Sequence, residues 1–147
     1  MYSDYWSFAK TKEEEEVLLE ELSMLYESLY KSDRNAFEET LNSKVRSEVA
    51  ALIRQKIKTD DKTMFLKDLI SRIKGRKVVK MTLAIAPTDF LIGQIYNWLI
   101  TSISEDIVLD ISIDKQILGG AIVSFGGKYF DFTLRKTLDQ LGSNNFS

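Results

Sequence analysis

Between Leu69 and Ile85 the chain reads LISRIKGRKVVKMTLAI, and the reading of this stretch decides the fold. Up to Gly75 the apolar residues recur at helical spacing, with Leu69, Ile70 and Ile73 continuing a face begun by Phe65 and Leu66. Gly75 suits a helix C-cap. Beyond it the period falls to two: Val79, Met81, Leu83 and Ile85 alternate with Lys80, Thr82 and Ala84. Alternation of that kind predicts a half-buried strand. The fold therefore changes character near Gly75, and we place a boundary there, with an N-terminal helical domain over 1–75 and a C-terminal α/β domain over 76–147.

Working back from Gly75, Asp60-Asp61 is a capping signal for the helix that carries Phe65. Val45, Val49, Leu52, Ile53 and Ile57 form the apolar face of the helix before it, and Phe37 and Leu41 belong to a shorter one. Ser32-Asp33 separates these from a helix over Lys12 to Lys31, whose Leu18, Leu22, Leu25 and Leu29 lie on one stripe. Its opening run, Glu13 to Glu16, favours the positive end of the helix dipole and reads as a solvated first turn. The first ten residues are aromatic-rich, with Tyr2, Tyr5, Trp6 and Phe8 available to dock on this protein or on a partner.

Working forward, Pro87-Thr88 stops the first strand and starts a helix to about Ser102, which buries some of Phe90, Leu91, Ile95, Trp98 and Leu99. Ile107, Leu109, Ile111 and Ile113 alternate again. Gly119-Gly120 opens a third strand, Ala121 to Phe125. Gly126-Gly127 has the two-residue hairpin signature, and Lys128 to Phe132 returns as a fourth strand. Thr133 is a cap for a last helix bearing Leu134, Leu138 and Leu141. The expected class is α+β: an N-terminal helical bundle, then a small β-α-β-β-α domain with a four-stranded mixed sheet.

Composition narrows the chemistry. The 147 residues contain no histidine and no cysteine. Disulfides, thiolate chemistry and Ser-His-Asp catalysis are thereby excluded within this chain, and the commonest general base and metal ligand is missing. No apolar run reaches the ~18–20 residues of a membrane span. The start, Met1-Tyr-Ser-Asp-Tyr-Trp, lacks the pattern of a signal peptide. Net charge is −2 overall. Residues 1–60 hold thirteen acids and nine bases, and residues 61–147 nine acids and eleven bases. Neither part has the basic excess of a nucleic-acid binder.

Three features carry a chemical reading beside a structural one. The basic stretch Arg72, Lys74, Arg76, Lys77 and Lys80 suits phosphates, but holds no interleaved aromatic for stacking and reads as a solvated connector. Asp110, Asp114 and Asp131 could form a carboxylate site, yet strand-end turns explain them. The glycine pairs lack both a Walker ending and a helix-opening GxGxxG. A nucleic-acid-binding module and a carboxylate hydrolase are the alternatives these features leave.

The stretch from Ile113 to Leu141, IDKQILGGAIVSFGGKYFDFTLRKTLDQL, resembles the C-terminal signature of the delta subunit of F-type ATP synthase, the oligomycin-sensitivity-conferring protein family. Asp114, Ile117, Leu118, Gly119 and Gly120 fit its start, Gly126 its glycine turn, and Asp131, Arg135, Leu138 and Leu141 its end. Thr133 stands where serine is usual. The resemblance covers about residues 76–142. The family's N-terminal part is usually a six-helix bundle of roughly a hundred residues, typical of a small domain; here about four helices stand in its place. The E subunit of V-type and A-type ATPases is similar around Thr133, Leu134 and Leu138, but begins with a very long helix, which Ser32-Asp33 and Asp60-Asp61 interrupt here.

The resemblance implies a non-catalytic peripheral-stalk subunit without cofactors. Its C-terminal domain would hold the membrane-anchored b subunit, and its helices the alpha subunits of the catalytic head. It implies no nucleic-acid partner, only indirect membrane contact, and a place on the cytoplasmic face of the membrane within the complex.

Overall fold

The computed structural model describes residues 2–59, 61–117 and 119–131, of 129–131 the backbone only. These fall into two compact units. One comprises the residues up to Ala9 with Glu13–Arg76, and the other Lys10–Lys12 with the chain from Lys77 on.

The first unit is helical. A 3₁₀ helix, Tyr2–Phe8, precedes α1 (Lys12–Ser28), α2 (Ala36–Ser43), α3 (Ser47–Ile57) and α4 (Lys62–Lys74). Of the expected leucine stripe of α1, Leu29 lies past the end of the helix and is half-buried, while Leu18, Leu22 and Leu25 are fully buried. They share a core with Leu41 of α2, Val49 and Ile53 of α3, and Leu66, Leu69 and Ile73 of α4, all fully buried. Each such side chain withdrawn from water contributes about 1.5–3 kcal/mol before conformational entropy is subtracted. α1 stops at Ser28, three residues before the expected Lys31, and a succession of turn hydrogen bonds follows through Leu29, Tyr30 and Lys31. Asp61 caps α4 as expected, its Oδ1 accepting from the Met64 amide at 2.9 Å. Gly75 is the C-cap of α4, but its φ of −87° is ordinary, so the stop at this position does not depend on glycine's access to the left-handed region. Space matters more, since a Cβ there would lie 3.3 Å from the Ser71 carbonyl oxygen.

The second unit is built on a mixed sheet of β1 (Lys77–Leu83), β2 (Ile107–Ile113), β3 (Ala121–Phe125) and β4 (Lys128–Asp131), in the order β2-β1-β3-β4. β1 and β2 run parallel, joined by α5 (Asp89–Ser102), and the other pairs are antiparallel. The register sets Val79 beside Leu109 and Met81 beside Val123. Since side chains alternate across a sheet, Val79, Met81, Leu83, Ile107, Leu109 and Val123 share one face, and all are buried. Tyr96 and Leu99 of α5 are buried in the same unit. At the outer edge of β2, Thr11 adds a single parallel bridge to Leu109, whose amide donates to the Lys10 carbonyl oxygen at 2.8 Å.

Candidate partner-binding surfaces

The described part of the motif segment is held by backbone hydrogen bonds and one Asp114 side-chain contact. β2 and β3 lie on opposite sides of β1, so the chain from Asp114 to Gly120 must cross the end of β1. It is tied on the way in, where the Asp114 amide donates to the Leu83 carbonyl oxygen at 2.8 Å, and on the way out, where the Ala84 amide donates to Gly120 at 3.4 Å. Asp114 Oδ1 accepts from the Gln116 amide at 2.9 Å, closing an Asx turn. Gly119 and Gly120 then adopt φ of 65° and 72°, angles that residues with a Cβ enter only at a cost. Gly126 and Gly127, at 56° and 78°, form the hairpin turn between β3 and β4. Of the other motif positions, Asp131 ends β4, while Leu118, Thr133, Arg135, Leu138 and Leu141, with the expected last helix, lie outside the described residues.

The three aspartates weighed for a carboxylate site do not converge. Asp110 sits on β2 opposite Lys80, and Asp131 on β4 at the other edge of the sheet, three strand spacings or roughly 14 Å away. Among the described residues no group of three His, Cys, Asp or Glu side chains could hold a metal ion.

One expectation needs correction. Arg76, read as part of a solvated basic connector, is buried, with its guanidinium 2.9 Å from the carboxylate of Glu15 and 4.8 Å from the centre of the Trp6 ring. Glu15, read as part of a solvated turn, is likewise buried. A run of charges along the sequence does not reveal which member faces the interior. The arrangement occurs twice. Glu21 accepts from the Arg46 amide at 2.7 Å and from its Nε at 2.8 Å, and the Arg46 guanidinium stands 5.6 Å from the Phe8 ring. Each triplet sets an acid of α1, an arginine and an aromatic of the 3₁₀ helix in contact. The N-terminal aromatics therefore dock on this chain's own helical unit. Tyr2 stacks on Phe65 at 6.3 Å, beneath the Arg72 guanidinium, and its hydroxyl donates to Asp68. Burial, with Asp4 and Tyr2 adding to it, pushes the Tyr5 hydroxyl up to about 12.

Among the described residues of the second unit, several of the most exposed large apolar side chains lie on α5. Thr88 caps it, accepting from the Leu91 amide at 3.2 Å. From Phe90 to Ser104 it and its exit hold no charged residue. Of the residues expected to share in its burial, Leu99 is buried, but Phe90 is 75% exposed, Trp98 57% and Leu91 41%. Ile85, beyond β1, is 77% exposed. Exposed aromatic and aliphatic side chains on an uncharged face make this a candidate interaction surface. Among the described residues no helix is long and apolar enough to cross a membrane.

Comparison with known proteins supplies the context for these surfaces. Residues 34–144 match the family described as ATP synthase delta (OSCP) subunit. The chain is 29% identical over 77 residues to the ATP synthase subunit delta of Rhodopirellula baltica, covering 52% of this chain and 34% of that protein. It is 30% identical over 73 residues to the namesake from Azorhizobium caulinodans, covering 50% of this chain and 39% of that protein. The match to Xanthobacter autotrophicus ATP synthase subunit delta is 26% over 73 residues, 50% of this chain and 36% of that protein. The matched stretch thus spans little more than a third of these curated relatives. The family match reaches back through α2, α3 and α4, well before the motif region, where the sequence offered only amphipathic spacing. Because the match over residues 34–144 takes in α2, α3 and α4 as well as the sheet strands that follow, the chain belongs to the ATP synthase delta (OSCP) subunit family.

Proposed function

We propose that this chain is a non-catalytic peripheral-stalk subunit of an F-type ATP synthase, joining the catalytic head to the membrane-anchored b subunit. The observation that carries the reading is the family match over residues 34–144. Torque from a rotating shaft must be resisted by a static connection, and that task calls for stiffness and adhesive surfaces. The twofold acid–arginine–aromatic packing supplies stiffness in the helical unit. The uncharged face of α5, with Phe90 and Trp98 exposed, suits an apolar stripe on a partner helix. On this reading the C-terminal unit grips the end of the b subunit, and the helical unit contacts the alpha subunits of the head. The protein lies at the cytoplasmic face of the membrane through the complex, with no cofactor. The family match favours this over the E-type subunit of V-type and A-type ATPases.

The test is titration of the purified chain with the C-terminal segment of its own organism's b subunit. Binding at tens of micromolar or tighter is expected, equivalent to about 6 kcal/mol. Trp98→Ser should weaken it at least fivefold, and the chain alone should not turn over ATP. A folded protein that shows no binding in that range, and that does not co-purify with stalk or head subunits, would overturn the reading.

A further inference from the structure

We propose that Tyr26 and Tyr30 are an oxidative modification site. A one-electron oxidant joins their rings through the carbons ortho to the hydroxyls, giving an intrachain dityrosine that ties the end of α1 to the turn after it. The site uses only this chain's own side chains and stands apart from the stalk reading.

Tyr26 sits near the C-terminal end of α1 and is half-buried, whereas Tyr30 lies past the helix end and is 68% exposed. Side chains four residues apart meet on one face of a helical turn. Here the Tyr30 hydroxyl donates to the Tyr26 hydroxyl at 3.0 Å, and the rings stand edge to face with centres 5.4 Å apart and planes at 65°. In a phenol the ortho carbons flank the C–O bond, so two hydroxyls in hydrogen-bond contact bring those carbons close to one another. A dityrosine is itself twisted about its central bond, and the tilt between the rings therefore needs no large reorientation. Tyr30 is free to close the remaining gap because it stands in a turn rather than in the helix, its amide donating to the Glu27 carbonyl oxygen at 3.1 Å.

The chain has no cysteine to intercept an oxidant, and thiolates are the side chains oxidised most readily. Of the described tyrosine side chains, Tyr5 and Tyr96 are buried, and Tyr2 gives its hydroxyl to Asp68 beneath the Arg72 guanidinium. Tyr30 is the exposed one and is the point of entry. It loses an electron to the oxidant and its phenolic proton to water. With that proton gone, the Tyr30 oxygen becomes the acceptor and draws the Tyr26 hydroxyl hydrogen atom across the same contact. The exposed ring is then oxidised a second time. The two phenoxyl radicals pair their electrons in a carbon–carbon bond between ortho carbons, and the hydrogen on each of those carbons moves to oxygen, restoring both hydroxyls. With hydrogen peroxide as the terminal oxidant, two tyrosines and one peroxide give one dityrosine and two waters. Because the rings are already in contact, coupling within the chain has a large advantage in effective concentration over coupling between chains.

The experiment treats the dilute full chain with hydrogen peroxide and a haem peroxidase, under conditions that couple free tyrosine. A monomer lighter by two hydrogen atoms and carrying dityrosine fluorescence is expected. Glu27 lies between the two tyrosines, so cleavage after glutamate separates them unless they are bonded. Residues 22–27 and 28–38 should therefore stay joined in the oxidised chain and part in the untreated one. Tyr26→Phe and Tyr30→Phe each keep the ring and remove the hydroxyl, and each should lower the intrachain yield at least tenfold. Tyr2→Phe should leave it within twofold of wild type. Circular dichroism checks that the variants are folded. Unfolding in urea should lower the yield at least fivefold, a loss that nearness in sequence alone does not predict. The proposal is overturned if the yield survives Tyr30→Phe or unfolding. It is equally overturned if the rings are oxidised without joining, or join only between chains or at other tyrosines.

Discussion

Replacing Arg76 with methionine tests the account of the helical unit most directly. Methionine approximates the length of the arginine stem, so the change removes charge and hydrogen bonds while retaining much of the volume. The wild-type guanidinium donates to Glu15 at 2.9 Å, its Nε donates to the Ile73 carbonyl oxygen at 3.4 Å, and it lies over Trp6. The side chains of Arg76 and Glu15 are only 1% and 6% exposed. Water cannot take over solvation of the carboxylate left behind, and removing one member of a buried pair costs about 3–5 kcal/mol. For a protein of this size that corresponds to a fall in melting temperature on the order of 10 °C. The loss should be largely recovered by Glu15→Leu in the same chain, because the buried carboxylate that has lost its arginine is then removed as well. The double variant should lie within about 2 kcal/mol of wild type. The two tryptophans make the assay specific: Trp6 belongs to the helical unit and Trp98 to the other. In a Trp98→Phe background, denaturant titration followed by tryptophan fluorescence reports the helical unit alone. A cost below about 1 kcal/mol for Arg76→Met, or strict additivity with Glu15→Leu, would refute the reasoning.

Two further outcomes are expected. Gly119→Val places a β-branched residue at a φ of 65° and should cost about 1–3 kcal/mol, measured by chemical denaturation in the Trp6→Phe background; equal stability would mean that the crossover tolerates other angles. Tyr5 keeps its proton to about pH 12 in the fold, against the ordinary 10. Its contribution is therefore complete below pH 10 and is lost as pH rises through 10 to 12, because the unfolded chain ionises first. Tyr5→Phe should flatten the decline of stability over that window relative to wild type, and parallel curves would contradict the assignment.

Local spacing determined the order of the described elements from α1 to β4. The strand after Gly75, the strand over Ile107–Ile113, the Asp61 cap, the helix start at Thr88 and the glycine hairpin are each contained within a few residues and found where the sequence predicts them, although on β2 Val108 is buried and Ile113 exposed, so its burial does not alternate. The loop residues were legible for the same reason, since a left-handed φ is a local demand that glycine meets. Three things depended on contacts between residues distant in the chain. Arg76 and Glu15, 61 residues apart, looked like members of two solvated charge runs, and only the tertiary structure made them a buried pair. Phe90 and Trp98 lie on a helix apolar enough to predict wider burial, but how many sides of a helix are covered depends on what packs against it. Asp110, Asp114 and Asp131 could be weighed as a cluster until strand order put β2 and β4 at opposite edges of the sheet. Period and turn chemistry are set by neighbouring residues and can be read from the sequence. Which charges are buried, which apolar faces remain open and which carboxylates meet are set by the three-dimensional neighbours that folding assembles.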